Sequence, residues 1–127
     1  MTLTGRLDPA NLRVALWTLR AGRHARRELS ARGVNFVALP TAPTLPDAAR
    51  RVVTATLART GASCLERAAV LQAWDQAHGH GRDLVVGVTK PSAGFRAHAW
   101  LDGDGPCHAE AFTELLRLPP RPPRDRS

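Results

Sequence analysis

The fold is decided by residues 63–77, SCLERAAVLQAWDQA. Ser63 and Glu66 have the Ser-x-x-Glu spacing of a capping box, in which both side chains bind the first backbone N–H groups of a helix. The apolar residues that follow cover most of the helical circumference, which is typical of a helix at the centre of a domain. We therefore predict a central helix that begins at Cys64 and ends before His78-Gly79-His80-Gly81.

Two further helices are predicted on the N-terminal side. Leu12, Leu16 and Leu19 recur at helical spacing within residues 10–32, and arginines supply the polar remainder, so these leucines form the expected apolar stripe. Three prolines at residues 40–46 then exclude a helix and indicate a connector. A second helix is expected over residues 47–59, before Gly61.

Strands are predicted on the C-terminal side. Residues 83–90 are rich in valine, and residues 91–94 have the composition of a turn. In the next strand the odd-numbered residues Phe95, Ala97, Ala99 and Leu101 point to one face, and Arg96, His98, Trp100 and Asp102 point to the other. After a Gly-rich turn, a third strand at about residues 106–112 is expected to complete an antiparallel meander.

Composition favours a single small domain in a reducing compartment. The 127 residues are 43% hydrophobic, and two cysteines imply no disulfide framework. Neither a signal peptide nor a membrane-spanning run is visible, so we expect a soluble, cytoplasmic protein. We divide the chain into a basic helix with its connector (residues 1–45), a core (46–118) and a disordered Pro- and Arg-rich tail (119–127).

The net charge of +7 comes almost entirely from arginine. It suits an acidic peptide, a nucleic acid or a membrane surface as partner, without distinguishing among them. The arginines of the first helix are explained as simply by a solvent-exposed helix face that binds no partner, and we prefer that interpretation.

Cys64 is the strongest candidate for chemistry. As the first helical residue it lies where partial positive charge and unpaired N–H groups favour a thiolate and an oxyanion. An ordinary buried cysteine is the alternative. The other cysteine, Cys107, is interpreted as structural. A metal site built on His78 and His80 with His98 or His108 is disfavoured because glycines flank the first two, and we predict neither a metal nor a cofactor.

His98 and Glu110 are the candidate partners of this thiol. His98 lies in mid-strand, where a half-exposed structural histidine is the alternative. A three-residue hairpin loop at 103–105 would place Glu110 directly opposite His98, with Cβ atoms about 5 Å apart on one face. Glu110 would then accept a hydrogen bond from the imidazole and fix its tautomer.

Three segments together resemble a known family. They are Cys64–Ala73 (CLERAAVLQA), Val85–Val88 (VVGV) and Phe95–Trp100 (FRAHAW). They are similar to the transglutaminase-like leader peptidases of lasso peptide biosynthesis. The resemblance covers roughly residues 61–112. It implies an α+β, papain-like core in which N-terminal helices and a central cysteine-bearing helix pack on a small antiparallel sheet.

The resemblance also implies a Cys-His-acid triad formed by Cys64, His98 and Glu110, although the family usually has aspartate as the acid. Asp102 and Asp104 remain alternatives for that role. The implied activity is a stand-alone cysteine peptidase that cleaves the leader from a ribosomally made precursor. Its implied partners are that precursor, a small leader-binding protein and the ATP-dependent lasso cyclase. A transglutaminase-like acyl transferase, an inactive scaffold and a basic nucleic-acid-binding protein are the competing hypotheses.

Overall fold

The computed structural model describes residues 9–33, 39–89, 94, 96–103 and 112–120. Its helices are α1 (Pro9–Arg32), α2 (Arg50–Thr60) and α3 (Cys64–Ala77), and a short 3₁₀ helix (Asp47–Ala49) precedes α2. Its strands are β1 (Leu84–Thr89), β2 (Ala97–Leu101) and β3 (Phe112–Leu118). This arrangement confirms the predicted α+β class and the three predicted helices.

Local sequence explains where α3 and α2 begin and end. The Ser63 Oγ accepts a hydrogen bond from the Glu66 N–H at 3.1 Å, and the Glu66 carboxylate accepts one from the Ser63 N–H at 3.1 Å. The predicted capping box is therefore present. Gly61 ends α2 in the left-handed conformation, with φ at 71°, a conformation that glycine adopts without steric cost.

Helix α3 occupies the centre of the domain, as predicted. Its Trp74 is 1% exposed and packs against Trp17 of α1, with ring centroids 5.8 Å apart. Aromatic pairs at such distances add to the stabilisation that apolar burial provides. The Trp17 indole N–H also donates to the Pro40 carbonyl at 3.2 Å, so the tryptophan anchors the Pro-rich connector to α1.

The face of helix α1 that packs against the core is not the face that its leucines predicted. Leu12, Leu16 and Leu19 are 56%, 52% and 40% exposed. The buried residues are Val14, Trp17, Thr18, Ala21 and Ala25. The small alanines let the helix approach its neighbours closely, and burying the large Trp17 ring removes much apolar surface from water. The leucine stripe is therefore on the solvent side.

The sheet has the order β2-β1-β3, and both pairings are antiparallel. The predicted third strand, at about residues 106–112, lies outside the described residues except for Phe112, so the meander stays a prediction; β3 is a later segment and pairs with β1. Leu84 and Val85 of β1 are both fully buried, which fits a strand with neighbours on both sides. Glu110, and the hairpin that would place it opposite His98, lie outside the described residues.

None of the helices in the described part of the chain is long and apolar enough to cross a membrane.

Candidate active site

A cleft of about 390 Å³ separates the N-terminal ends of α2 and α3 from strand β2. Both residues at the centre of the sequence prediction, Cys64 and His98, line it. The other lining residues are Arg50, Thr54, Arg67, Ala68, Leu71, Ala99, Trp100 and Leu101. The fold therefore brings together a thiol and an imidazole that are 34 positions apart in the chain.

Cys64 is the first residue of α3, half-buried, with a free thiol. The capping box engages the N–H groups of Ser63 and Glu66, and it leaves those of Cys64 and Leu65 at the open start of the helix. Backbone N–H groups in this position stabilise negative charge, on a thiolate or on an oxygen that becomes an oxyanion. The local sequence thus supplies both a nucleophile and candidate oxyanion donors.

His98 lies in the middle of β2, half-buried, and pairs with Gly87 of β1. Its ring stacks with Trp100, with centroids 5.8 Å apart and an interplanar angle of 23°, and its centroid is 5.2 Å from that of Phe112. These rings have room because residue 87 has no side chain: a Cβ there would lie 3.0 Å from Trp100 Cη2. Gly87 thus permits the aromatic packing beside the imidazole.

The acidic residues proposed for the triad differ in whether the structure describes them. Glu110 and Asp104 lie outside the described residues. Asp102 lies in the turn after β2, where its carboxylate accepts a hydrogen bond from Arg117 at 2.9 Å. Four residues of extended chain span about 13 Å, so Asp102 is too far from His98 for a direct hydrogen bond.

Glu114 is a carboxylate that the sequence analysis missed. It pairs with Gly87 from the opposite side to His98, so the three residues form one row across the sheet. Both its oxygens accept hydrogen bonds from Arg117, at 3.0 and 2.9 Å. The hydrogen bond from Arg117 holds the pKa of Glu114 below its usual value. Glu114 is thus engaged with a cation.

A family model described as the transglutaminase-like superfamily matches residues 10–117. The chain belongs to this superfamily. Members of the transglutaminase-like superfamily are typically cysteine peptidases or acyltransferases, so the fold suggests a cysteine-dependent hydrolase or acyltransferase. No curated protein and no solved structure matches the chain.

The transglutaminase-like cleft contains two arginines that sequence reasoning did not assign. Arg50 makes a bidentate ion pair with the buried Asp75, at 2.8 and 2.9 Å. Arg67 donates to the Ala62 carbonyl at 3.3 Å, and no carboxylate in the described part of the chain pairs with it. Arg67 follows Cys64 by three residues. Residues three apart lie on the same side of a helix, so the sequence contained the information that Arg67 is near the thiol.

Two other polar residues of the transglutaminase-like domain have structural roles. Gln72, which is 4% exposed, donates to the carbonyls of Arg82 and Leu118 at 2.9 and 3.1 Å, and so ties α3 to the sheet. His78 Nε2 accepts from the Leu45 N–H at 3.0 Å, so its proton is on Nδ1, which donates to the Trp74 carbonyl at 2.8 Å.

Both ring nitrogens of His78 are therefore occupied and unavailable to a metal. Within residues 9–33, 39–89, 94, 96–103 and 112–120, no group of three histidine, cysteine or acidic side chains is arranged to hold one. Cys107 and His108 lie outside these ranges.

Proposed function

We propose that this protein is a cysteine peptidase that removes the leader from a ribosomally made precursor during lasso peptide maturation. The observation that carries the proposal is the cleft shared by Cys64, at the start of α3, and His98, on β2. A helix-start thiol and a strand imidazole that line one cleft are the groups that thiol-based acyl chemistry uses. The resemblance of CLERAAVLQA and FRAHAW to lasso leader peptidases supports the substrate class.

The proposed reaction has two halves. His98 takes the proton of the Cys64 thiol, and the sulfur attacks the scissile carbonyl carbon to form a tetrahedral intermediate. The N–H groups of Cys64 and Leu65 bind its oxyanion. His98 then gives the proton to the departing amine nitrogen as the C–N bond breaks, which leaves a thioester. In the second half, water gives a proton to His98 and its oxygen attacks the thioester carbon. The C–S bond then breaks to release the carboxylic acid, and His98 returns the proton to the sulfur, which restores the thiol.

The third member of the proposed triad is Glu110, which would accept a hydrogen bond from His98. Two observations support this choice. Phe112, two positions after Glu110 in the chain, packs against the His98 ring. The described carboxylates nearby, Asp102 and Glu114, are both engaged by Arg117.

The proposed setting follows from the resemblance. The precursor and a small leader-binding protein are the proposed partners, the ATP-dependent lasso cyclase acts on the product, and the cytoplasm is the proposed location. The net charge of +7 is complementary to an acidic leader.

Mass spectrometry of precursor peptide tests the proposal. We expect incubation with this protein and the leader-binding partner to yield separate leader and core masses, each peptide bond cleaved with the addition of one water. Cys64→Ala abolishes cleavage, whereas Cys107→Ala, the matched control at the other cysteine, retains it. An intact precursor under all conditions refutes the peptidase.

The acyltransferase hypothesis is tested in the same reaction with an added primary amine. A product that carries the amine in place of water, and that forms faster than the hydrolysis product, would identify a transferase. Loss of both products in Cys64→Ala would still assign the thiol as the nucleophile.

A further inference from the structure

Three rings form one aromatic cluster on the sheet: those of His98 and Trp100 on β2 and that of Phe112 on β3. The ring centroids lie 5.8 Å apart for His98 and Trp100, 5.2 Å for His98 and Phe112, and 5.7 Å for Trp100 and Phe112. Aromatic rings attract one another at these distances. The candidate base is therefore one member of a packed group of three rings.

The two partner rings are themselves held by the central strand. Trp100 pairs with Val85 of β1, which is 0% exposed, and Phe112 pairs with Thr89 of the same strand. A Cβ at Gly87 would lie 3.0 Å from Trp100 Cη2 and 3.3 Å from Phe112 Cβ, so both residues pack closely over this glycine. The cluster is thus anchored on all three strands.

The cluster restrains the orientation of the imidazole. The ring planes of Trp100 and Phe112 make angles of 23° and 31° with the His98 ring. A change of the His98 side-chain rotamer would break both contacts, so the packing favours one rotamer over the others. General bases need such restraint, because a small misplacement of the ring slows proton transfer strongly.

The cluster also suits the charge that His98 acquires. In the proposed reaction the imidazole becomes an imidazolium when it takes the Cys64 proton. A cation within about 6 Å of a ring centroid is attracted by the π electrons, most strongly by those of tryptophan. Trp100 is stacked with the imidazole and its centroid is 5.8 Å away, within this distance.

We propose that Trp100 and Phe112 are positioning residues for His98, which hold the imidazole in the orientation that serves the cleft and stabilise its protonated form. The inference rests on the proposed peptidase, and it assigns to both residues a role that acts through His98. Trp100 lines the cleft with Cys64, whereas Phe112 is outside the cleft lining, so the pair can separate a positioning role from substrate contact.

The contact itself is tested by NMR on Trp100→Leu and Trp100→Phe. Leucine keeps apolar bulk but has no π face, whereas phenylalanine keeps a ring. We expect the shifts of the His98 ring protons to change in Trp100→Leu and to change less in Trp100→Phe. The ring protons of His78, which stacks on Trp74 with centroids 4.2 Å apart, are the internal control and should not move. Unchanged His98 signals in Trp100→Leu would refute the contact.

The effect on the thiol is measured by alkylation of Cys64 with iodoacetamide at about pH 6.5. We expect Trp100→Leu and Phe112→Leu each to slow it by about threefold to fivefold, and Trp100→Phe to stay within about twofold of wild type. Leu118→Ala is the matched control, because it truncates a partly buried core residue at the other end of β3 from Phe112. Equal slowing in Leu118→Ala would make the effect one of fold stability and overturn the proposal.

A double variant tests whether Trp100 acts through His98. In the His98→Ala background, Trp100→Leu should slow alkylation no further, because a positioning residue has no effect once the residue it positions is gone. Further slowing would overturn the proposal. The charged residues that line the cleft or share the row of His98 across the sheet are the same in all these variants: Arg50, Arg67 and Glu114.

Precursor cleavage separates this inference from the proposed function. We expect Trp100→Leu and Phe112→Leu to lower kcat by about tenfold while KM stays within about twofold. A raised KM with unchanged kcat in Trp100→Leu would make Trp100 a substrate-binding residue instead. If His98→Ala alkylates as fast as wild type, the proposed nucleophile and base fail. If it is slowed but Trp100→Leu and Phe112→Leu are not, the positioning role is refuted and the peptidase stands.

Discussion

Gly87 is a position at which one added carbon atom would disturb the packing of the site. It lies on the central strand, opposite His98. A Cβ there would lie 2.8 Å from the Thr113 carbonyl oxygen, 3.0 Å from Trp100 Cη2 and 3.3 Å from Phe112 Cβ. The first is a backbone atom of β3, so Gly87→Ala must displace that strand as well as the Trp100 ring.

The expected loss of stability follows from two opposing effects. Overpacking of this kind costs about 1–3 kcal/mol. Replacing glycine by alanine also restricts the unfolded chain, which stabilises a protein by about 0.4–1 kcal/mol where the backbone conformation is compatible. Because Gly87 does not have a positive φ, this second effect applies. We expect a net decrease of about 1–2 kcal/mol in the free energy of unfolding.

Urea denaturation measures this change, with Gly22→Ala as the matched control. Gly22 lies inside α1, and a Cβ there would meet only Leu57 Cδ2, at an ordinary 3.8 Å. Gly22→Ala should therefore stabilise the protein by about 0.5–1 kcal/mol. We also expect Gly87→Ala to reduce peptide cleavage, because Trp100 and Phe112 pack against His98. A Gly87→Ala protein as stable as wild type would refute the packing argument.

Three further predictions concern charged residues. Asp75→Ala should destabilise the fold by about 3 kcal/mol in urea denaturation, because it leaves Arg50 without its bidentate partner, and an unchanged midpoint would contradict this. Glu114→Gln should lower the urea midpoint at pH 7. The hydrogen bond from Arg117 lowers the pKa of Glu114 in the folded protein, so the ionised carboxylate stabilises the fold at pH values above the pKa of the unfolded state. This stabilisation is lost as the pH falls through the folded-state pKa. The difference from wild type should therefore shrink as the pH is lowered below the unfolded pKa of about 4.3, and a difference that does not change with pH would refute the Arg117 explanation. Glu110→Asp should retain precursor cleavage in the mass spectrometric assay and Glu110→Ala should lose most of it, whereas full activity of both would remove Glu110 from the triad.

The features that were predicted well from the sequence are those determined by residues close together in the chain. The start of α3 is set by the Ser63 and Glu66 side chains, and the end of α2 by the left-handed Gly61. Cys64 was identified as a candidate through the same local signal, because its position at a helix start follows directly from the capping box. The alternation along β2 likewise predicted that Ala99 and Leu101 share one face, and both are buried.

The features that sequence missed depend on contacts between distant segments. The strand at Phe112–Leu118 was missed, because it is held by its pairing with β1, a segment far from it in the chain. The leucine stripe of α1 has helical spacing, yet the face containing Trp17 is buried because Trp74 is available to pack against it. Arg50 enters the cleft because Asp75, 25 positions later, holds it there.

The central claim, that Cys64 and His98 work as a nucleophile and base, is tested most directly by the alkylation rate of Cys64. Iodoacetamide reacts with the thiolate, so at about pH 6.5 and in limiting amount it should modify Cys64 before Cys107. His98→Ala should slow the modification of Cys64 by about tenfold, because the imidazole no longer accepts its proton. Peptide mass mapping measures modification at both cysteines in one sample, and Cys107 serves as the internal reference for the amount of iodoacetamide. Equal rates at Cys64 in wild type and His98→Ala would contradict the account.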